Sequence, residues 1–484
     1  MFFLQLTIQI ICLQVFLVNN AIAHFPGKVK HGVGIGGWLV SESWMNPTEW
    51  KQMGGEVCKD PSTCATTEFR LAQKLGQARA NEVFKKHWQT WFDQTHVDRI
   101  KALQLDHVKI PLGWWIIEQL VQPPNEIYPQ GGWTELKRGL NQLKEAGISV
   151  ILDLHAVPGV GSANQYFAGN YTSEVHFYTD ANYQRALTWT AVVTAMIHHD
   201  PDFQRVVGLL AVNEPEVDGS KTPGLEDYYS DFVTMVRVVE YASEVPCGTN
   251  LRPAFKRMAQ SKNVVHALEA AIPLIPVYAA KATPVANVTE LISQLKAYVE
   301  ADDPHAASER KLVLDYVRPH FGEPQPKTAC ITTVAMQKAW QKKAPLASMA
   351  PHALGPRVYE DHVNFALGGS ANATFDSYIE TICRNKGLEN AKLVGEVPFG
   401  RGQFSLATNF HATLHQIRAW GDAQKVVYRK DSFWTFWNFR VEDTLTELPF
   451  GKPVQWSYLK AVESGVLPTK PSHIYNPSIC DPYL

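Results

Sequence analysis

No excess of charge of either sign marks this sequence: 45 Lys and Arg stand against 47 Asp and Glu, a formal net of −2. That balance leaves no electrostatic basis for binding nucleic acid or an anionic membrane surface. No internal repeat or low-complexity tract is present. No Cys-x-x-Cys pair or His/Cys cluster has zinc-site spacing, so no metal is expected. Beyond residue 27 no stretch is long and apolar enough to span a bilayer.

What is present points to an exported globular chain. Met1 to Gly27 contains no Lys, Arg, Asp or Glu, Phe2–Val18 is mostly apolar, and Ala21-Ile22-Ala23 supplies small residues for cleavage. Residues 1–23 therefore read as a signal peptide, although no basic residue precedes the apolar run and an uncleaved anchor stays open. Of seven cysteines, Cys12 lies in that leader, leaving Cys58, Cys64, Cys247, Cys330, Cys383 and Cys480. An even set in an exported chain implies disulfides of open connectivity, with Cys58 and Cys64 the easiest local pair. Sequons at Asn170, Asn287 and Asn372 agree with a secreted, extracellular or cell-wall-associated glycoprotein, though Asn287 also reads as a helix N-cap. Apolar residues at 45% of the 484 supply a sizeable core, and 14 tryptophans hint at flat ligands such as sugar rings.

The chain alternates short apolar runs with helical patterns. Thr134–Ala146 places Leu136, Leu140 and Leu143 on one face, and Gly147 ends that helix before the near-continuous apolar run Ile148–Leu154. Similar runs are Val33–Val40, His107–Leu112, Val206–Val212, Arg357–Val363, Lys392–Val397 and Phe433–Phe439, with Ala329–Met336 an eighth. Helices are predicted over Asn81–Phe92, Tyr183–His198, Glu226–Ala242 and Leu406–Trp420. The alternation predicts an α/β fold, a closed (β/α)₈ TIM barrel as one domain over residues 24–484. Residues 243–328 break the rhythm with Pro304, Pro319, Pro324 and an amphipathic helix from Val288 to Val299, and read as an insertion between strands four and five packed on the barrel.

Several predicted strands end in polar residues: Asp153 and His155, Asn213-Glu214, His362 and Asn364, and Gly395-Glu396. A parallel barrel brings all such ends to one mouth. Glu214 and Glu396 facing one cleft would be the two carboxylates of glycoside hydrolysis, one donating a proton and the other attacking the anomeric carbon or activating water. The bland alternative pairs each Glu with a buried Arg or Lys.

The segments Gly32–Val40, Val108–Trp114, Asp153–Gly159, Asn213-Glu214-Pro215, Gly395-Glu396 and Phe436–Glu442, in register, resemble glycoside hydrolase family five, in its fungal exo-β-1,3-glucanase branch. The resemblance implies a retaining double displacement with Glu214 as acid/base and Glu396 as nucleophile on strand seven. It also implies a substrate-binding set of Glu42, Lys109, His155, Asn213, His362 and Trp437, the last as a floor under the sugar ring. Three positions depart from the family. Lys109 replaces an arginine that orients the nucleophile, Asn364 stands where a tyrosine is usual, and Val397 follows Glu396 in place of tryptophan.

The expected activity is a secreted, cofactor-independent β-glucan hydrolase acting as a monomer, most simply a glucan exo-1,3-β-glucosidase. An endo- or β-1,6-glucanase is the nearest alternative. A glucan-binding barrel with little turnover, motivated by Lys109 and Asn364, is the alternative from another class. Elsewhere, His198-His199-Asp200 reads as a helix cap or surface feature, at least one of Trp114 and Trp115 is expected in the cleft, and Trp434 is ambiguous.

Overall fold

Eight parallel strands close into a barrel in the order β1 to β8 in the computed structural model, which describes residues 30–243, 245, 247, 252–278, 329–336, 355–368, 374–384, 399–429 and 433–484. The strands are β1 (Lys30–Gly34), β2 (His107–Gly113), β3 (Ser149–Ala156), β4 (Val206–Leu210), β5 (Thr332–Met336), β6 (Arg357–Val363), β7 (Phe399–Phe404) and β8 (Phe433–Phe436). The main flanking helices are α1 (Gln77–Trp91), α2 (Gly132–Ala146), α3 (Asp180–His199), α4 (Leu225–Ala242), α5 (Arg252–Gln260), α6 (Lys262–Ala271), α7 (Phe375–Cys383) and α8 (Leu414–Tyr428). The expected (β/α)₈ barrel is therefore the fold.

Helices cover the sheet from outside, so β2 is buried at every residue and reads as an apolar run rather than an alternating one. Inside, Ile151, Leu210, Val334, Val358 and Phe433 form a separate apolar cluster that fills the barrel below its mouth. Side chains alternate along a strand. Since Ile151 and Val358 point inward, so do Asp153 and His155 on β3 and Glu360 and His362 on β6. Two strands thus carry polar pairs from the packed interior up to the mouth.

Gly147 closes α2 in the left-handed conformation at φ 78°, as the sequence predicts. Part of the 243–328 stretch is described: α5 packs on α4, and α6 runs along α3. The helix read over Val288–Val299 and the N-cap at Asn287 lie outside the described residues, as does the leader. Among the described residues no helix is long and apolar enough to cross a membrane. The six cysteines pair as Cys58–Cys64, Cys247–Cys330 and Cys383–Cys480. The last ties α7 to the C-terminal segment.

Boundaries differ from the sequence expectation at several places, two of them near the mouth or its supporting helices. The run Val33–Val40 leaves the sheet after Gly34, because Gly36 N is bonded to Asn438 Oδ1 at 2.9 Å and Gly37 turns at φ 76°. The described seventh strand is Phe399–Phe404, and the expected run Lys392–Val397 lies outside the described residues. The helix that follows comes later than expected, at Leu414–Tyr428 instead of Leu406–Trp420. A reciprocal cap fixes the helix start: Thr413 accepts from Gln416 N, and the Gln416 side chain accepts from Thr413 N.

Candidate active site

The C-terminal strand ends collect most of the residues singled out from sequence. Glu214 follows β4 with φ 38°, a left-handed conformation uncommon outside glycine, and the Ser162 hydroxyl donates to its backbone carbonyl. Its neighbour Asn213 is buried and donates its backbone N–H to Leu154 O at 3.2 Å, which ties the end of β4 to β3. The Glu214 side chain is 22% exposed, so one end of it meets solvent, and its Oε1 lies 2.7 Å from His362 Nδ1.

His155 sits beside this pair. Its Nδ1 is 2.7 Å from Asp153 Oδ2, which fixes the ring's orientation. The ring stacks on Trp437, with centroids 5.5 Å apart and planes 17° from parallel. Trp437 lies against the backbone of Gly34 and Gly36, where any added Cβ would come within 2.5 and 2.6 Å of the indole. Those two positions must be glycine for the ring to lie flat against β1. Trp437 N also donates to Phe404 O at 2.8 Å, anchoring the loop after β8 to the end of β7.

Glu42 completes the described rim. Trp44 Nε1 donates to its Oε2 at 2.9 Å. Burial raises the Glu42 carboxyl to about 7, against the nearby His155 and the Trp44 bond and with the Glu214 charge adding to the rise. Two carboxylates and two histidines therefore share one mouth, and the carboxyl of Glu42 changes charge near neutrality.

Lys109 stands lower. It is fully buried on β2, and its Nζ contacts Glu360 and lies 3.4 Å from both Asp153 Oδ2 and His362 Nε2. It thus faces interior carboxylates, where the sequence expectation had it binding substrate. Glu360 was missed altogether. Its signal was Lys109 itself: a cation in the middle of a fully buried strand needs a buried anion.

Glu42, His155, Asn213, Glu214, His362 and Trp437 are brought together. Glu396 lies outside the described residues, and β7 begins three positions after it at Phe399. Asn364 directly follows β6 and is partly buried. Of the remaining expectations, a cleft position for Trp114 or Trp115 and a surface position for His198 and His199 are corrected, while a capping role holds at Asp200. Trp114 and Trp115 are both core residues, packed around Tyr128, with Trp115 stacked on it at 4.2 Å. Trp434 is core as well. His198 and His199 are buried rather than on the surface. His198 Nε2 lies 3.4 Å from Glu240 Oε1 and His199 Nε2 lies 2.8 Å from Ser243 Oγ, while Asp200 caps the next turn through Asp202 N. The apparent metal-ligand group Glu240, Cys247 and Cys330 contains both halves of a disulfide, whose sulfurs are not thiolates.

Comparison with known proteins agrees with this architecture. The family model described as cellulase (glycosyl hydrolase family 5) matches residues 71–273. A probable glucan endo-1,6-beta-glucosidase B of Aspergillus terreus is 26% identical over 468 residues, covering 96% of this chain and 92% of its own. A probable glucan 1,3-beta-glucosidase A of Aspergillus fumigatus is 30% identical over 231 residues, covering 47% of this chain and 52% of its own. Among solved structures, the rutinosidase from Aspergillus niger superposes with a TM-score of 0.56 at 15% identity, over 92% of this chain and 99% of that one, a likeness of fold.

Proposed function

From a chain that carries the glycosyl hydrolase family 5 signature over residues 71–273, we propose a β-glucan hydrolase that works by retaining double displacement. The observation that carries this reading is Glu214, half-open at the barrel mouth, bonded to His362 and set beside the stacked His155–Trp437 pair. Glu214 gives its proton to the leaving glycosidic oxygen as Glu396 bonds to C1 and the C1–O bond breaks, and later takes a proton from water as the water oxygen bonds to C1 and the C1–Glu396 bond breaks. Glu396 is the proposed nucleophile, on the strength of the Gly395-Glu396 motif. Trp437 supplies the apolar face for the sugar ring, while His155, Asn213 and Glu42 offer polar groups to its hydroxyls.

For linkage, the proposal favours β-1,6 bonds cleaved within the chain, because relatives matched along nearly their whole length bear that name. Terminal β-1,3 cleavage is the second reading, supported by the half-length match to a 1,3-glucosidase. The three disulfides support export to an oxidising compartment. A glucan-binding role without turnover is the reading from another class, motivated by Lys109 in place of an arginine and Asn364 in place of a tyrosine.

The test measures reducing-sugar release from pustulan (β-1,6) and laminarin (β-1,3) by wild type, Glu214→Gln and Glu396→Gln. The proposal expects turnover of pustulan above laminarin and a loss of at least ~10³-fold in each variant. Wild-type turnover retained by Glu396→Gln would mean that another group attacks. Binding of both glucans with no wild-type turnover would establish the binding role.

A further inference from the structure

Behind Glu214 runs a buried chain of polar groups to which the proposed reaction assigns nothing. Glu360 is 0% exposed, a position where an ionised carboxylate is costly unless it is paired. Its Oε1 meets both Lys109 Nζ and, at 2.6 Å, His362 Nε2. The other nitrogen of that ring, Nδ1, is the one 2.7 Å from Glu214 Oε1. An imidazole can keep a proton on one nitrogen while the other gains or loses one. Among the described residues, the titratable or charged groups facing this chain are Glu42 after β1, Lys109 and His107 from β2, Asp153 and His155 from β3, and Glu214 after β4. The sequence of β5 contains none.

We propose that Glu360 is a positioning residue: it holds a proton on His362 Nε2 and so places the exchangeable proton between His362 Nδ1 and Glu214, with Lys109 as the cation that keeps Glu360 ionised. The inference rests on Glu214 being the acid/base. The pair His362–Glu214 then holds one proton between its two atoms. That proton leaves to the glycosidic oxygen as the C1–O bond breaks. It is replaced when the attacking water loses a proton to Glu214, forms its bond to C1 and releases the enzyme nucleophile.

The electrostatics run the same way. Burial opposes charge on Glu360, but Lys109 and His362 outweigh it and leave the carboxyl at about 2. Burial and the Lys109 charge oppose an imidazolium at His362, yet the bonds to Glu214 and Glu360 hold its pKa above the usual value. Glu360 therefore raises the proton affinity of the pair, and its loss lowers that affinity.

The test uses the full chain with ¹⁵N-histidine labelling. His362 is assigned from a His362→Gln control, and its ring nitrogens are titrated in wild type, Glu360→Gln and the double variant Lys109→Met/Glu360→Gln. The proposal expects the His362 midpoint to fall by about one pH unit, a tenfold change in proton affinity, in Glu360→Gln and by less in the double variant, which also removes the opposing Lys109 charge, with the Nε2-protonated tautomer lost in both. The basic limb of kcat/KM moves to lower pH by the same amount, with KM changed less than about threefold. The double variant removes one buried charge of each sign and guards against misfolding of the single one. An unchanged His362 titration in Glu360→Gln would overturn the proposal. So would an Nε2-protonated tautomer retained in the double variant, since something other than Glu360 would then hold that proton. Should wild type hydrolyse no glucan, the functional reading fails, while the His362 titration still decides the role of Glu360.

Discussion

Glu360 and Glu68 are both carboxylates without exposed surface, and their surroundings drive them to opposite protonation states. Glu360 lies inside the barrel against Lys109 and His362, which overcome burial and hold it ionised, at about 2. Glu68 opens the helix Glu68–Leu75, where burial meets only neutral donors, Ser41 and Trp115, and the carboxyl is pushed up to about 8. The backbone N–H of Ser41 donates to its Oε1 at 2.7 Å. Burial by itself does not decide the charge of an acid. A cation in contact does. Glu42 falls between the two, at about 7, with a histidine nearby but no lysine or arginine among its influences.

The contrast can be broken hardest at Lys109. Lys109→Met leaves Glu360 and Asp153 buried without their cation, and should cost about 3–5 kcal/mol in a urea unfolding midpoint at neutral pH. A cost below about 1 kcal/mol would show that something other than the lysine stabilises the charged form of Glu360.

Glu68 gives the next largest effect and the opposite sign with pH. Its folded value, about 8, lies above the usual 4.5, so the native state holds the extra proton between those limits and stability falls as pH rises through them. Wild type should lose on the order of 3 kcal/mol more than Glu68→Gln between pH 5 and 8.5, measured by thermal or urea unfolding. Glu360 contributes in reverse, its stabilisation fading as pH drops from 4.5 toward about 2. Parallel pH profiles for wild type and Glu68→Gln would mean that Glu68 has a partner of positive charge.

Trp44→Phe sharpens the comparison most gently. It removes the Nε1–H donor to Glu42, a bond worth about 1 kcal/mol, along with part of the ring that packs on Phe450 and Trp456, and should raise the Glu42 midpoint further by less than about one pH unit. Carboxyl ¹³C NMR reads this directly, and a midpoint that falls would rule out the indole as a stabiliser of the carboxylate.

The same contrast shows what was readable from sequence. The barrel was, because Ile148–Leu154 is apolar on both faces and a glycine stops the helix before it. Most of the mouth was also readable, because Asp153, His155, Glu214 and His362 end such runs. Glu360 was in plain view two residues before His362 on the inward face of β6, but the run Arg357–Val363 was valued only for its end. The helix after β7 starts at Leu414 instead of Leu406 because the reciprocal Thr413–Gln416 cap fixes its first turn, a local signal that the apolar pattern alone does not carry. The tryptophans after β2 failed for a different reason: nothing local distinguishes a cleft indole from one packed on Tyr128.

Whether Glu214 is the proton donor is tested most directly by azide rescue of Glu214→Ala on an aryl glycoside, dinitrophenyl β-gentiobioside, whose leaving group needs no protonation. The account predicts that the variant forms the glycosyl-enzyme from this substrate, stalls without a base, and is restored at least ~10-fold by azide, with β-glycosyl azide as product. No rescue and no azide adduct from a folded Glu214→Ala protein, with wild type active on the same substrate, would contradict it.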